Sequence, residues 1–354
     1  MRTDKAFIRG WPTPFWWERD CRNGTGRAIA TALAPVATVY GAVAVRRLRA
    51  APAYTSRLPV VCVGNFTAGG VGKTPLVSAL CEHWRKMGRR PVILTRGYGG
   101  RNVGPHVVDH ERDTAAEVGD EALLHAASTP VVVSRDRAAG ARFIEAHTKL
   151  GAGLIVMDDG LQNRSLAKTF SIAAVDRKRM LGNGRVIPAG PLRAPIAEQA
   201  ALTKLLVLVT PPDARDDELD SPLPNSLVDI PYKLAIGIAP AGDLDWLAGA
   251  QVLAYAGIGA PERFFRLLER LGAKVVESTA FADHHVFSDG DAGCLLRRCE
   301  DLGCTLVTTE KDAARLAGAS GRLAELRARS RSVPIRAVLD QTAVAVIDYL
   351  LNGQ

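Results

Sequence analysis

Short unbroken apolar runs alternate along this chain with stretches whose apolar residues recur every three or four positions. Residues 59–65 (PVVCVGN), 91–95 (PVILT), 130–134 (PVVVS), 154–157 (LIVM) and 171–175 (SIAAV) are runs of the first kind. Residues 73–86, 120–127 and 138–147 show the helical spacing. Continuous apolar strands separated by helices predict a parallel sheet buried on both faces, because one exposed face would impose polar–apolar alternation. Another strand is expected at 204–209 (KLLVLV). Residues 211–225 then hold four prolines and five acids, which reads as an exposed connection. Alternation resumes from residue 251 (VLAYAGIG), with a helix at 261–271, a strand at 274–277, a helix at 289–302 and a strand at TLVTT. The pattern divides the α/β chain into an N-terminal segment (1–57), a core (58–210), a connection (211–250) and a smaller α/β domain (251–354).

The N-terminal segment differs from the rest. Residues 28–45 carry no charge and lie between Arg27 and the cluster Arg46, Arg47 and Arg49; Trp11, Phe15, Trp16 and Trp17 precede them. This predicts a hydrophobic helix whose flanking cations and aromatic residues suit a membrane interface. The stretch is Ala-rich, interrupted by Pro35 and about the minimum length for a span. Charge sharpens the contrast. The chain carries a net +8, of which residues 1–57 supply +7 from ten Arg or Lys and three acids. The body is therefore close to neutral, and no nucleic-acid motif accompanies the basic segment. At 354 residues and 47% apolar composition a disordered chain is excluded. Six cysteines without a CxxC pair suit reduced, mostly buried thiols.

The chemistry begins at VVCVGNFTAGGVGKTP, where an apolar strand runs into a glycine-rich turn and then a helix. That context makes Thr67, Ala68, Gly69, Gly70, Val71, Gly72, Lys73 and Thr74 a phosphate-binding loop. The glycines allow backbone N–H groups to approach phosphate oxygens, and the helix N-terminus adds positive potential. Lys73 reaches the terminal phosphates of ATP, and the Thr74 hydroxyl serves Mg²⁺. Thr67 stands where the usual GxxxxGK[ST] pattern begins with Gly. Ala68 stands where MinD/ParA-type ATPases carry a signature Lys, which argues against that class. The nearest match to the guanine-reading [NT]KxD motif, Thr309-Glu310-Lys311-Asp312, has its Lys displaced by one position.

Charged residues gather at other predicted strand ends. LIVMDDG has the form of a Walker B strand, with Asp158 and Asp159 as metal-site acids at the C-terminal rim of the sheet. Asp120 opens a helix in GDE and reads equally as an N-cap or a catalytic base. Arg96, Arg137 and Arg193 also follow strands or turns and would form a charge-neutralising rim. FADHHVF supplies adjacent His284 and His285, without the spacing of a zinc site.

Taken in order, GNFTAGGVGKTP, RGYGG, GDE, SRDR, DDGLQN, PAGPLR, FADHH and TTEKDA resemble the tetraacyldisaccharide 4'-kinase family of Gram-negative lipid A biosynthesis. The resemblance runs from the apolar N-terminal stretch to about Asp312, and Thr67 is itself usual in that family. It implies a P-loop NTPase-like core with a smaller C-terminal α/β domain. The implied reaction moves the γ-phosphate of ATP, with Mg²⁺, to the 4'-hydroxyl of a tetraacylated glucosamine disaccharide 1-phosphate, giving lipid IVA. The implied place is the cytosolic face of the inner membrane, and the implied partners are that lipid A disaccharide precursor and the membrane surface. No nucleic acid and no obligate protein partner are inferred. By motif, Lys73 and Thr74 serve phosphate and Mg²⁺, Asp158 and Asp159 the metal, and Gln162 a nearby polar contact. Arg137 and Arg193 stabilise phosphate, while Asp120, assisted by His284, accepts the hydroxyl proton. Two other readings of the residues are a membrane-associated P-loop ATPase that acts as a conformational switch and a soluble small-molecule kinase.

Overall fold

The computed structural model describes residues 14–18, 24–214 and 222–353. Trp11, Cys21, Arg2, Lys5, Arg9, Arg19 and Arg22, and the middle of the acidic, proline-containing connection, lie outside the described residues.

The strands are β1 (Val60–Asn65), β2 (Pro91–Thr95), β3 (His106–Val107), β4 (Val131–Val133), β5 (Leu154–Asp158), β6 (Phe170–Asp176), β7 (Leu205–Thr210), β8 (Tyr232–Pro240), β9 (Gln251–Ala256), β10 (Lys274–Ala280), β11 (Thr305–Thr309), β12 (Ser330–Val333) and β13 (Ile335–Val338). The α-helices are α1 (Gly24–Ala32), α2 (Ala34–Leu48), α3 (Lys73–Lys86), α4 (Ala115–Val118), α5 (Asp120–Ala126), α6 (Arg137–Ala146), α7 (Ile196–Ala200), α8 (Asn225–Val228), α9 (Pro261–Arg270), α10 (Asp289–Leu302), α11 (Glu310–Arg315), α12 (Gly321–Arg329) and α13 (Gln341–Asn352).

One sheet has nine strands in the order β13-β8-β7-β6-β1-β5-β2-β4-β3. All its ladders are parallel except the two outermost pairs, β13 with β8 and β3 with β4. Every residue of β1, β2, β4, β5 and β6 is buried, which explains their unbroken apolar sequences. Leu76, Leu80 and Trp84 of α3, Leu123 of α5 and Ile347 of α13 close one face. Ala141 and Ile144 of α6 and Leu227 of α8 pack on the other. β1 lies between β5 and β6, where the chain changes direction across the sheet, so the loop after β1 opens at the switch point of the topology. The second sheet, β10-β9-β11-β12, is parallel throughout. It is covered by α9 on one side and by α10 and α12 on the other.

Three features differ from the sequence expectation. The connection placed at 211–250 contains β8, a strand of the main sheet. The segment assigned to the smaller domain returns to the main sheet as β13 and α13. The single N-terminal helix is two helices meeting at 53°, and among the described residues no single helix is long and apolar enough to cross a membrane. Pro35 in the first turn of α2 accounts for the break: its ring restricts the preceding residue and it has no N–H to continue the ladder.

Candidate active site

Asn65 ends β1 and organises the loop that follows. Its amide nitrogen donates to Thr67 O at 2.6 Å, while its oxygen accepts from Lys73 Nζ at 3.2 Å. A second segment braces the loop from outside. Ala68 N–H donates to Pro191 O at 2.8 Å, and Arg193 N–H to Phe66 O at 2.9 Å, so PAGPLR runs against the start of the loop. Gly72 caps α3 in the left-handed region, at φ 82. A Cβ there would lie 2.5 Å from Ile238 Cδ1, so both conformation and space demand glycine.

Lys73, Asp159 and Arg193 form one cluster. Arg193 Nη1 donates to both Asp159 oxygens, at 2.8 and 2.9 Å, and Lys73 Nζ lies 3.5 Å from Oδ1. Burial alone would push the Asp159 carboxyl up, but Lys73 and Arg193 outweigh it and hold the group below its ordinary range. Asp159 has φ 49, a left-handed conformation that is costly for a non-glycine residue and is concentrated at functional sites. Behind it, Asp158 is buried with its Oδ1 unpartnered, and its Oδ2 is 3.6 Å from His125 Nε2. His125 is held in turn by Ser78, 3.2 Å from Nδ1. Arg137 is buried at the start of α6 and donates to Ser134 O at 2.6 Å; burial pushes it down to about 10 despite Asp158 and Asp159, so it stays charged at neutral pH.

Two placements change the sequence reading. Gln162 spends its amide nitrogen on Asn65 O (2.8 Å) and Gln199 Oε1 (2.7 Å), which makes it a brace behind the loop. Trp16 and Trp17, expected as interfacial anchors, both donate their indole N–H to Pro188 O and so tie the N-terminal segment to the body.

The smaller unit brings the second half of the site. His284 Nδ1 is 3.1 Å from Asp120 Oδ2, its ring lies 4.9 Å from that of Tyr98, and its φ is 58. His285 faces away, onto Asp291 of the capping box that starts α10. Asp120 is buried, and its Oδ1 accepts the Glu121 N–H at 2.8 Å. Burial would raise its carboxyl, but His284, Lys311 and Arg315 together hold it well below the usual carboxylate range. Lys311 and Arg315, from TTEKDAAR, were not read as site residues; no local motif links them to a carboxylate nearly two hundred positions earlier. The two halves meet at Gly259, where a Cβ would lie 3.2 Å from Asp283 Oδ2 and 3.8 Å from the loop's Gly70 N. A cavity of about 780 Å³ adjoins Ala68 and Gly70, with Lys178, Arg179, Arg263 and Arg266 in its wall and Trp17 at the N-terminal side. Arg263 pairs with Asp176 and Arg266 with Asp213, which fastens α9 to the main-sheet side.

A phosphate loop, a carboxylate pair, arginines and an Asp–His pair are the parts of a phosphoryl-transfer site, and Gly259 lies between the loop's Gly70 and Asp283, the neighbour of His284. The profile of the family described as tetraacyldisaccharide-1-P 4'-kinase matches residues 29–352. A tetraacyldisaccharide 4'-kinase from Nitrobacter hamburgensis is 48% identical over 303 residues, covering 86% of this chain and 87% of that protein. The enzyme of the same name from Nitrobacter winogradskyi is 44% identical over 340 residues, covering 96% and 97%. In fold, the chain is similar to the crystal structure of the "apo" form of LpxK from Aquifex aeolicus in complex with ATP. The TM-score is 0.67, at 24% identity, over 91% of this chain and 99% of that one.

Proposed function

This chain belongs to the tetraacyldisaccharide-1-P 4'-kinase family, and we propose that it transfers the γ-phosphate of ATP to the 4'-hydroxyl of a tetraacyl disaccharide 1-phosphate. The observation that carries the reading is an Asp–His pair whose neighbour Asp283 is joined through Gly259 to the phosphate loop at Gly70. A switch ATPase needs the loop and carboxylates but has no use for a buried Asp that orients a His.

The geometry divides the work as follows. Backbone N–H groups from Gly69 to Thr74 and the start of α3 hold the terminal phosphates. Lys73, Arg137 and Arg193 spread the charge that develops on the transferred group. Thr74, Asp158 and Asp159 are hard oxygen donors, and the buried unpartnered Asp158 Oδ1 fits a Mg²⁺ site. Bound there, Mg²⁺ supplies Lewis-acid neutralisation of the phosphates. His125 Nε2 lies 3.6 Å from Asp158 Oδ2 and is the polar group beside that oxygen.

The expected order of the Asp–His pair is reversed. Asp120 is buried, ionised and saturated by charged donors, which makes it a poor proton acceptor. It orients His284 through Nδ1, leaving Nε2 to take the proton from the acceptor hydroxyl. An acceptor with a free 4'-hydroxyl is phosphorylated, whereas its 4'-deoxy analogue is not; phosphorylation of the deoxy analogue would refute the assignment.

The acceptor's acyl chains place the reaction at a membrane surface, which we assign to the cytosolic face of the inner membrane. The support is on α2: Val36, Val39, Tyr40 and Val43 are exposed at spacings of three, four and seven residues. That outward apolar stripe ends at Arg46 and Arg47, and the opposite face packs on α7.

A further inference from the structure

The Asp120–His284 pair is held by a third residue that neither the reaction nor the motifs name. The side chain of Arg315, at the end of α11, is 7% exposed; its Nε donates to Asp120 Oδ2 at 2.7 Å, and Nη2 lies 2.6 Å from the same oxygen without forming a hydrogen bond. Its other arm, Nη1, donates to Gly257 O and pairs with Asp312 Oδ1. Gly257 O also accepts the backbone N–H of His284 at 3.1 Å. One planar guanidinium thus touches both members of the pair: the carboxylate of Asp120 directly, and the backbone of His284 through a shared carbonyl. Asp312, which fixes the guanidinium, is buried and accepts from Thr309 Oγ1 at 2.7 Å and from Gly257 N at 3.0 Å.

We propose that Arg315 is a positioning residue for phosphoryl transfer, aiming Asp120 at His284 Nδ1 and so setting the direction in which His284 Nε2 meets the acceptor hydroxyl. The inference rests on the Asp–His reading above. Its physical basis is the fork of the guanidinium: Nε donates to the carboxylate and Nη1 to the carbonyl behind His284, which fixes distance and direction together. A Lys at this position would retain charge and lose the fork. Lys311 does not duplicate the role, since its Nζ is 3.9 Å from Asp120 Oδ2 and 3.1 Å from Glu121. The charged groups facing Asp120 are His284, Lys311 and Arg315; Glu121 and Asp312 lie on the far sides of the two cations, and Asp283 Oδ1 lies 3.8 Å from His284 Nε2. Because Arg315 lies on the smaller unit and Asp120 on the main one, the pair is aligned only when the two are docked.

The test compares wild type, Arg315→Met, Arg315→Lys and His284→Ala as full-length protein in detergent, measuring transfer to the disaccharide acceptor across pH. Arg315→Met is expected to lower kcat by about 10- to 100-fold, as loss of an orienting partner does, with KM for ATP and acceptor little changed. The acid limb of its kcat profile should move to higher pH, because removing a cation beside Asp120 favours protonation of the pair. Arg315→Lys should fall between wild type and Met in both respects. If His284→Ala is severe but Arg315→Met keeps the wild-type rate and profile, the Arg315 role is wrong and the Asp–His reading stands. A lower rate with an unmoved pH profile in both Arg315 variants would mark a purely structural residue and also overturn it. If His284→Ala turns over normally, the Asp–His reading fails and this inference falls with it.

Discussion

Among single residues, the pair His284 and His285 shows how much a motif leaves open. FADHH places two imidazoles side by side, and sequence order alone favours the first. The structure separates them by partner: His284 meets Asp120, while His285 meets Asp291 in the cap of α10. His284→Ala is therefore expected to lower kcat by about 10²- to 10⁴-fold. His285→Ala should leave turnover near wild type and cost on the order of 1 kcal/mol of stability through the lost hydrogen bond; paired kinetic and denaturant measurements distinguish the two. Asp159→Asn removes the charge that Lys73 and Arg193 share and is expected to reduce kcat by about 10²- to 10³-fold, read in the same transfer assay. The loop residues, Asp158 and Asp159 were legible because each lies within a few positions of a strand end that declares itself. His125 and Arg315 were not. Each acts on a group contributed by another element, and nothing next to them in sequence records that contact.

At the scale of elements, strands buried on both faces announce themselves as apolar runs, and those at the sheet margin do not. β8 has alternating exposure over much of its length, and its apolar stretch LAIGIA follows the proline-rich, acidic stretch within the segment assigned as a connection, which masked it. β13 has four residues, of which two are exposed. Together they extend the main sheet with chain that the composition assigned elsewhere. The N-terminal break has the opposite lesson: Pro35 was visible, but its effect depends on α2 seating Ala37 and Gly41 against the body while Val36, Val39, Tyr40 and Val43 face outward. Val39→Asp with Val43→Asp is expected to weaken binding to anionic phospholipid vesicles by about tenfold or more, since each charge must leave water to enter the interface. Turnover of a short-chain, soluble acceptor should be unchanged. Unaltered vesicle binding in a sedimentation assay would remove α2 from the membrane contact.

For the whole molecule, ionic fastenings join the smaller unit to the main sheet, among them Asp120 with His284, Lys311 and Arg315, and Asp176 and Asp213 with Arg263 and Arg266. Asp120 is held below its unfolded value, so its contribution to stability is present above about pH 3.9, the ordinary aspartate value, and is lost as pH falls through the lower folded value. The unfolding free-energy gap between wild type and Asp120→Asn should accordingly be constant near neutral pH and shrink in acid. A gap that widens in acid would reverse the sign of the argument. The same docking brings His284 to Asp120 and Gly259 to the phosphate loop, so the fold and the chemistry depend on one interface. The most direct measurement follows the γ-phosphate itself. Purified protein in detergent, given γ-labelled ATP, Mg²⁺ and a tetraacyl disaccharide 1-phosphate, should place the label on the lipid's 4'-oxygen far faster than it releases inorganic phosphate. Label released to water, with none on the lipid, would contradict the account.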